Sequence, residues 1–202
     1  MSFALPITLH GDRRSGNCLK VKWTLERLGI PYTWVDVDVI TGETRTPMFL
    51  SRNPTGQVPV IVFGDGRALA QSNAIIAYLA EGSELIPADP FDRARMFEWL
   101  FWEQYSHEPY IAVARFQMAF LGRAREDLDA KLFERGAAAL ARMQSALANA
   151  PYLVGAGLTL ADIALVAYTR MARDGGFDVT AYPDVDAWVA RVEAALPIED
   201  PR

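Results

Sequence analysis

Apolar residues follow two rhythms along this chain, and the change from one to the other divides it. Up to about residue 83 short β-rich runs alternate with helical stretches. Leu5 to Leu9 reads as a strand, and Gly16 to Leu28 as a helix. In that helix Cys18, Val21, Leu25 and Leu28 recur at spacings of three, four and three, which places them on one buried stripe. Gly29 supplies the C-terminal stop. Tyr32 to Val37, aromatic and β-branched, predicts a second strand. Ile40 to Pro54 has little periodicity and reads as a loop with room for one short helix. Val58 to Phe63 and Arg67 to Leu69 form a hairpin around Gly64-Asp65-Gly66, whose glycines permit a tight turn. A helix opens after Ser72, a residue suited to the N-cap, with Ala74, Ile75, Ile76, Tyr78 and Leu79 as its apolar positions. The order is β-α-β-α-β-β-α.

After Leu85-Ile86-Pro87 no alternating segment follows and long helical patterns take over. Asp92 to about Leu121 predicts an aromatic-rich helix, interrupted or bent near Pro109, which lacks an amide donor and crowds the preceding turn. Arg123 to Ala148 reads as an alanine-rich helix, Thr159 to Arg173 as another, and Val185 to Leu196 as the last. Two domains are expected, 1–83 mixed α/β and 88–202 a helical bundle.

Composition narrows the classes. A net charge of -5 and a pI near 5.1 give no broad basic field, so nucleic acid is not an expected partner. No run of about 18 uncharged apolar residues suggests a membrane span, and the N-terminus, without a basic lead and meeting Pro6 early, lacks the form of a signal peptide. The single Cys18 excludes an internal disulfide and a clustered-thiolate metal site, as expected of a reducing, cytoplasmic setting. His10 and His107 are too few and too far apart to suggest a metal centre.

Three segments carry chemistry. Ser15-Gly16-Asn17-Cys18 stands where the first strand gives way to a helix, whose free amides and positive dipole end stabilise a nearby thiolate. Ser15 can donate a hydrogen bond to such a thiolate, or it can simply cap the helix. Its spacing from Cys18 is that of a redox Cys-x-x-Cys motif with the nucleophilic cysteine replaced, so a reacting thiol must come from a ligand. Cys18, on the apolar stripe, reads as a core thiol. In Asn53-Pro54-Thr55-Gly56-Gln57-Val58-Pro59-Val60, Pro59 immediately precedes a strand and is a candidate cis bond or an ordinary edge proline. A cis turn there would leave the main chain of Val58 facing outward to pair with a peptide ligand. Gln71-Ser72-Asn73 opens a helix whose amides suit a carboxylate, with simple capping by Ser72 the alternative.

These segments, in this order, resemble the glutathione transferase family, and in particular its bacterial members with serine at the active-site position. The likeness continues through Lys20-Val21-Lys22-Trp23 to Tyr32 and into Gly157-Leu158-Thr159-Leu160-Ala161-Asp162, which resembles the family's second-domain signature with Thr159 and Asp162 as an N-capping box. The resemblance implies a thioredoxin-like first domain and glutathione as co-substrate, with no metal. It makes Ser15 the hydroxyl that stabilises the glutathione thiolate, Val58 the main-chain partner of the cysteinyl unit and Pro59 the family's cis-proline. Gln71 and Ser72 would bind the γ-glutamyl end, and Gln57 the glycine end. The family often carries an acidic residue where this chain has Gln71. It also implies a homodimer and a small hydrophobic electrophile as second substrate.

Trp99, Trp102, Tyr105, His107, Tyr110 and Phe116 form the aromatic stripe of the long helix. Such stripes bury first and bind second, so only Tyr110 and Phe116 are assigned to the electrophile. Arg115 could meet a substrate carboxylate, and Arg13 and Arg14 could favour a thiolate or an anionic substrate. The same thiolate would also serve isomerisation, dehalogenation or peroxide reduction, and a non-catalytic ligand-binding protein could keep the fold. The chain lacks the paired serine and cysteine run of the maleylacetoacetate isomerase class, which disfavours that branch.

Overall fold

The computed structural model describes residues 3–198. The chain divides into two packed units, Met1–Ile86 and Pro87–Arg202.

In the first unit β1 (Ile7–Gly11) is followed by α1 (Gly16–Arg27), β2 (Tyr32–Asp36), a 3-10 turn at Glu43–Arg45, the single-turn α2 (Pro47–Leu50), β3 (Val60–Val62), β4 (Ala68–Ala70) and α3 (Ser72–Ala80). The sheet order is β2-β1-β3-β4, with β1 parallel to β2 and antiparallel to β3, and β3 antiparallel to β4. As an interior strand β1 is buried almost without alternation, and Ile7, Leu9, Val60 and Ile61 are wholly inaccessible. Strands β1 and β3 begin at Ile7 and Val60, later than their hydrophobic runs, because Pro6 and Pro59 have no amide for the ladder. Helix α1 packs on α3 and buries more than the expected stripe: Lys20 and Thr24 are as inaccessible as Cys18, Val21 and Leu25, whereas Leu28 is only half-buried. It ends where Gly29 takes φ +64°.

The second unit opens with α4 (Pro90–Trp102), capped by Asp89, whose carboxylate accepts from the amides of Phe91 and Asp92. The expected interruption lies just before Pro109, as a π-turn at Glu103–His107 ahead of α5 (Glu108–Arg115), and a second π-turn spans Phe116–Phe120. Helix α6 (Ala130–Leu147) starts later than the alanine-rich pattern, because Asp129 accepts the Lys131 amide as its cap and a 3-10 turn at Arg125–Asp127 fills the approach. Helix α7 (Leu160–Thr169) is buried at all ten positions and touches α4, α5 and α8 (Pro183–Ala195). It stops short of Arg173, where a 3-10 turn, Ala172–Gly175, takes over.

Candidate functional site

Strand register places the three chemical segments at one end of the sheet. His10 of β1 faces Val60 of β3, and Val60 faces Ala70 of β4. One or two residues further in each strand lie the β1–α1 turn that leads to Ser15, the Val58–Pro59 pair, and Gln71. The two ends of β1 and β4 and the start of β3 therefore converge.

Ser15 occupies the N-cap position of α1, with φ -84° and ψ 119°, yet its side chain makes no capping hydrogen bond. Its hydroxyl lies near enough to the Cys18 sulfur to favour that thiol's ionised form. That thiol is fully buried, and burial pushes its pKa up to about 12 against the opposing pull of the Ser15 hydroxyl and the Asp12 main chain. Cys18 is thus a core thiol.

The turn bearing Ser15 is held by Asp12, which is 5% exposed. Its carbonyl accepts from the Ser15 amide at 3.0 Å, and its carboxylate accepts from the Arg14 amide at 2.9 Å and from the Arg14 guanidinium at 2.8 and 2.6 Å. Arg14 also donates to Asp38 at 2.9 Å, and Asp38 in turn accepts the Ile40 amide at 2.7 Å. Burial alone would raise the Asp12 carboxyl, but the bonds from Arg14 hold it below its ordinary value. Arg13 donates to Asp36 at 2.9 Å and lies over the Trp34 ring at 4.9 Å. Both arginines are therefore engaged with carboxylates, which corrects the expectation that they supply positive charge to a thiolate or anionic substrate.

The Val58–Pro59 bond is cis. Among the described residues no hydrogen-bond partner faces the main chain of Val58. Gln57 is exposed, and its carbonyl accepts from Asn53 Nδ2 at 2.8 Å, which stabilises the turn before β3.

Ser72 is the first residue of α3, and Gln71 holds the N-cap position with φ +69°, so the expected capping by Ser72 is corrected. Gln71 is the non-glycine residue with positive φ among those described. Such a conformation is unfavourable for a side chain with a Cβ, and positions of this kind cluster at ligand sites. Ser72 is 5% exposed, and its hydroxyl donates to Asn17 Oδ1 of α1 at 3.0 Å. Sequence reading missed both this bridge and Asp12. Asn17 and Lys20 do carry a helical i, i+3 spacing, but nothing local links them to a serine 55 residues away.

In the second unit, Tyr110 is half-buried and Phe116 is exposed, its ring 6.0 Å from that of Phe120. Trp99 and His107 lie in the core, while Tyr105 is among the most exposed apolar residues at 84%. Arg115 donates to Asp174 at 3.1 Å and stacks over Phe120, so it is committed within the fold and not held out for a substrate carboxylate. Thr159 and Asp162 close the capping box at the start of α7, as expected. The Asp162 carboxylate also accepts from the Leu153 amide at 3.0 Å and from Trp188 Nε1 at 2.9 Å. No helix among the described residues is long and apolar enough to cross a membrane.

Comparison with known proteins agrees with this geometry. Residues 14–81 match the model of the glutathione S-transferase N-terminal domain and residues 100–195 that of its C-terminal domain. Glutathione S-transferase 3 of Zea mays is 33% identical, over 94% of this chain and 90% of its own. Maleylacetoacetate isomerase of Rhizobium meliloti is 36% identical, over 84% and 83%. The crystal structure of a glutathione S-transferase from Pseudomonas fluorescens is 48% identical and superposes with a TM-score of 0.90, covering 93% of this chain and 94% of that one. The end of the sheet that brings together a serine at a helix start, a cis-proline and a residue of positive φ before a second helix thus sits in a chain matched over both of its halves, and the protein belongs to the glutathione S-transferase family.

Proposed function

We propose that this glutathione transferase uses Ser15 to hold glutathione as its thiolate and adds that thiolate to a small hydrophobic electrophile. The observation that carries the reading is the Ser15 hydroxyl, placed at the start of α1 without capping it. On ligand binding the hydroxyl donates to the glutathione sulfur. The thiol proton leaves to solvent, the helix start stabilises the negative charge, and a sulfur–carbon bond forms as the electrophile's leaving group departs with its electron pair. Val58 pairs with the cysteinyl main chain, Pro59 shapes that turn, Gln71 and Ser72 take the γ-glutamyl end, and Gln57 the glycine end. Tyr110 and Phe116 contact the electrophile. A cytoplasmic homodimer completes the reading.

Titration of the bound thiol by thiolate absorbance, in the wild type and Ser15→Ala, tests it. A bound-thiol pKa below that of free glutathione, moving back towards it in the variant, is expected. An unchanged value in Ser15→Ala would remove the role of that hydroxyl. The likeness to the Rhizobium isomerase favours one second reading, in which glutathione is catalyst and is released unchanged. Mass analysis of the products after incubation with a cis-enone acid separates isomer from conjugate.

A further inference from the structure

Asp12 builds the turn that carries Ser15, and it does so with a charge. Its side chain is buried, so the carboxylate lies within the β1–α1 turn and not in water. It accepts from the Arg14 amide at 2.9 Å, while the Asp12 carbonyl accepts from the Ser15 amide at 3.0 Å. Both bonds fix the main chain that aims the Ser15 hydroxyl. A negative charge so placed opposes any anion held at the same helix start. Cys18 already feels it: burial, before all else, keeps that thiol neutral, and the Asp12 charge acts in the same direction.

Arg14 meets this charge. Its guanidinium donates to both Asp12 carboxylate oxygens, at 2.8 and 2.6 Å, in the forked geometry that suits a carboxylate. It also reaches Asp38 at 2.9 Å, and Asp38 accepts from the amides of Ile40 and Thr41. The Val39 amide faces Asp12 at 3.4 Å. Among the described residues, charged groups elsewhere about the turn have partners of their own: Arg13 has Asp36 at 2.9 Å, Glu43 has the Asp38 amide at 2.8 Å, and Lys20 of α1 has the Asn17 oxygen at 2.8 Å. His10 of β1 is buried, and burial followed by the Arg52 charge holds it towards its neutral form.

We propose that Asp12 positions Ser15 and that Arg14 is its charge compensator, cancelling the carboxylate so that the anion which builds the turn does not oppose the glutathione thiolate. This rests on the reading of Ser15 as the hydroxyl that holds that thiolate. It gives Arg14 a task other than delivering net positive charge, since its guanidinium is engaged by Asp12 and Asp38. A carboxylate is useful in the turn because a charged acceptor holds main-chain amides more firmly than a neutral one, provided its field is cancelled.

The test is the thiolate-absorbance titration of glutathione bound to the full chain, read as the ionisation constant of the bound thiol. Arg14→Gln leaves the Asp12 charge standing, and that constant should fall about fivefold. Arg14→Lys, which keeps the cation, should stay within about twofold of the wild type. Asp12→Asn removes the anion and keeps the guanidinium, so the constant should rise about threefold. The double variant, Asp12→Asn with Arg14→Gln, carries neither charge and should return to within about twofold of the wild type. Opposite shifts in the two single variants are what a purely structural clamp does not give, because loosening the turn from either side displaces Ser15 and lowers the constant. An unchanged constant in Arg14→Gln, shifts of one sign in both single variants, or a double variant lower than Arg14→Gln would overturn the proposal. Should Asp12→Asn not fold, Arg14→Gln against Arg14→Lys decides, and equal falls in the two overturn it. No thiolate signal in the wild type would overturn the glutathione reading as well. A wild-type signal lost in Ser15→Ala but unmoved in Arg14→Gln would overturn this proposal alone.

Discussion

Two helix starts in this molecule carry nearly the same local signature and do opposite things. At α7, Thr159 is followed three residues later by Asp162, and the pair closes on itself: the Asp162 carboxylate accepts from the Thr159 amide at 2.9 Å and from its hydroxyl at 3.0 Å. At α1, Ser15 is followed three residues later by Cys18, which cannot close a capping box, and the serine makes no capping bond. The first hydroxyl is consumed by the fold. The second is not used as a cap. Stability and chemistry thus divide according to whether the third residue can accept the free amides at the helix start.

The largest expected effect lies at the closed start. Asp162→Ala would strand the Leu153 amide, the Thr159 amide and Trp188 Nε1 in a dry interior, a loss of roughly 4 kcal/mol or more in chemical denaturation. Ser15→Ala should do the reverse, lowering kcat/KM for glutathione conjugation by about a hundredfold, as removal of a hydrogen-bond donor from a reacting anion does. Its denaturation midpoint should move little, since surface-side changes without a lost cap stay within about 0.5 kcal/mol. A large stability loss in Ser15→Ala would dissolve the contrast between the two starts.

Smaller effects sharpen the picture of the Ser15 turn. Asp12 titrates below its ordinary value of 3.8 in the folded chain, so its stabilisation is complete above that value and is lost as pH falls through the lower, folded pKa. Melting temperatures between about pH 6 and about 2.5, the range of ordinary carboxylate titration, should fall less steeply in Asp12→Asn than in the wild type. Least change is expected at Cys18. With its pKa pushed up to about 12 by burial, the native thiol should resist an aromatic disulfide reagent at pH 8, about four units lower. Rapid labelling of the folded protein would show that the α1 start opens to solvent.

Much of this was legible because it depends on neighbours in the chain. Cys18 declared itself a core thiol by its spacing with Val21 and Leu25, and Thr159-x-x-Asp162 declared its box, since capping partners are one turn apart. The bend near Pro109 followed from a missing amide. The roles of Arg13, Arg14 and Arg115 were not legible, because their partners Asp36, Asp38 and Asp174 arrive by folding from 23, 24 and 59 residues away. Nor was the switch at Gln71 and Ser72: a serine before an apolar run reads as a cap, and only the strained turn out of β4 moves it one place into the helix.

By itself the sequence determined the alternation of strands and helices, the division between a mixed unit and a helical one, and which hydroxyls stand at helix starts, since each depends on periodicity or spacing within a few residues. Tertiary structure decided what those hydroxyls are free to do. The Ser72 hydroxyl donates to an asparagine of another helix whose oxygen also accepts from a buried lysine, and proton direction along such a chain of bonds is settled only once every donor has been brought against its acceptor.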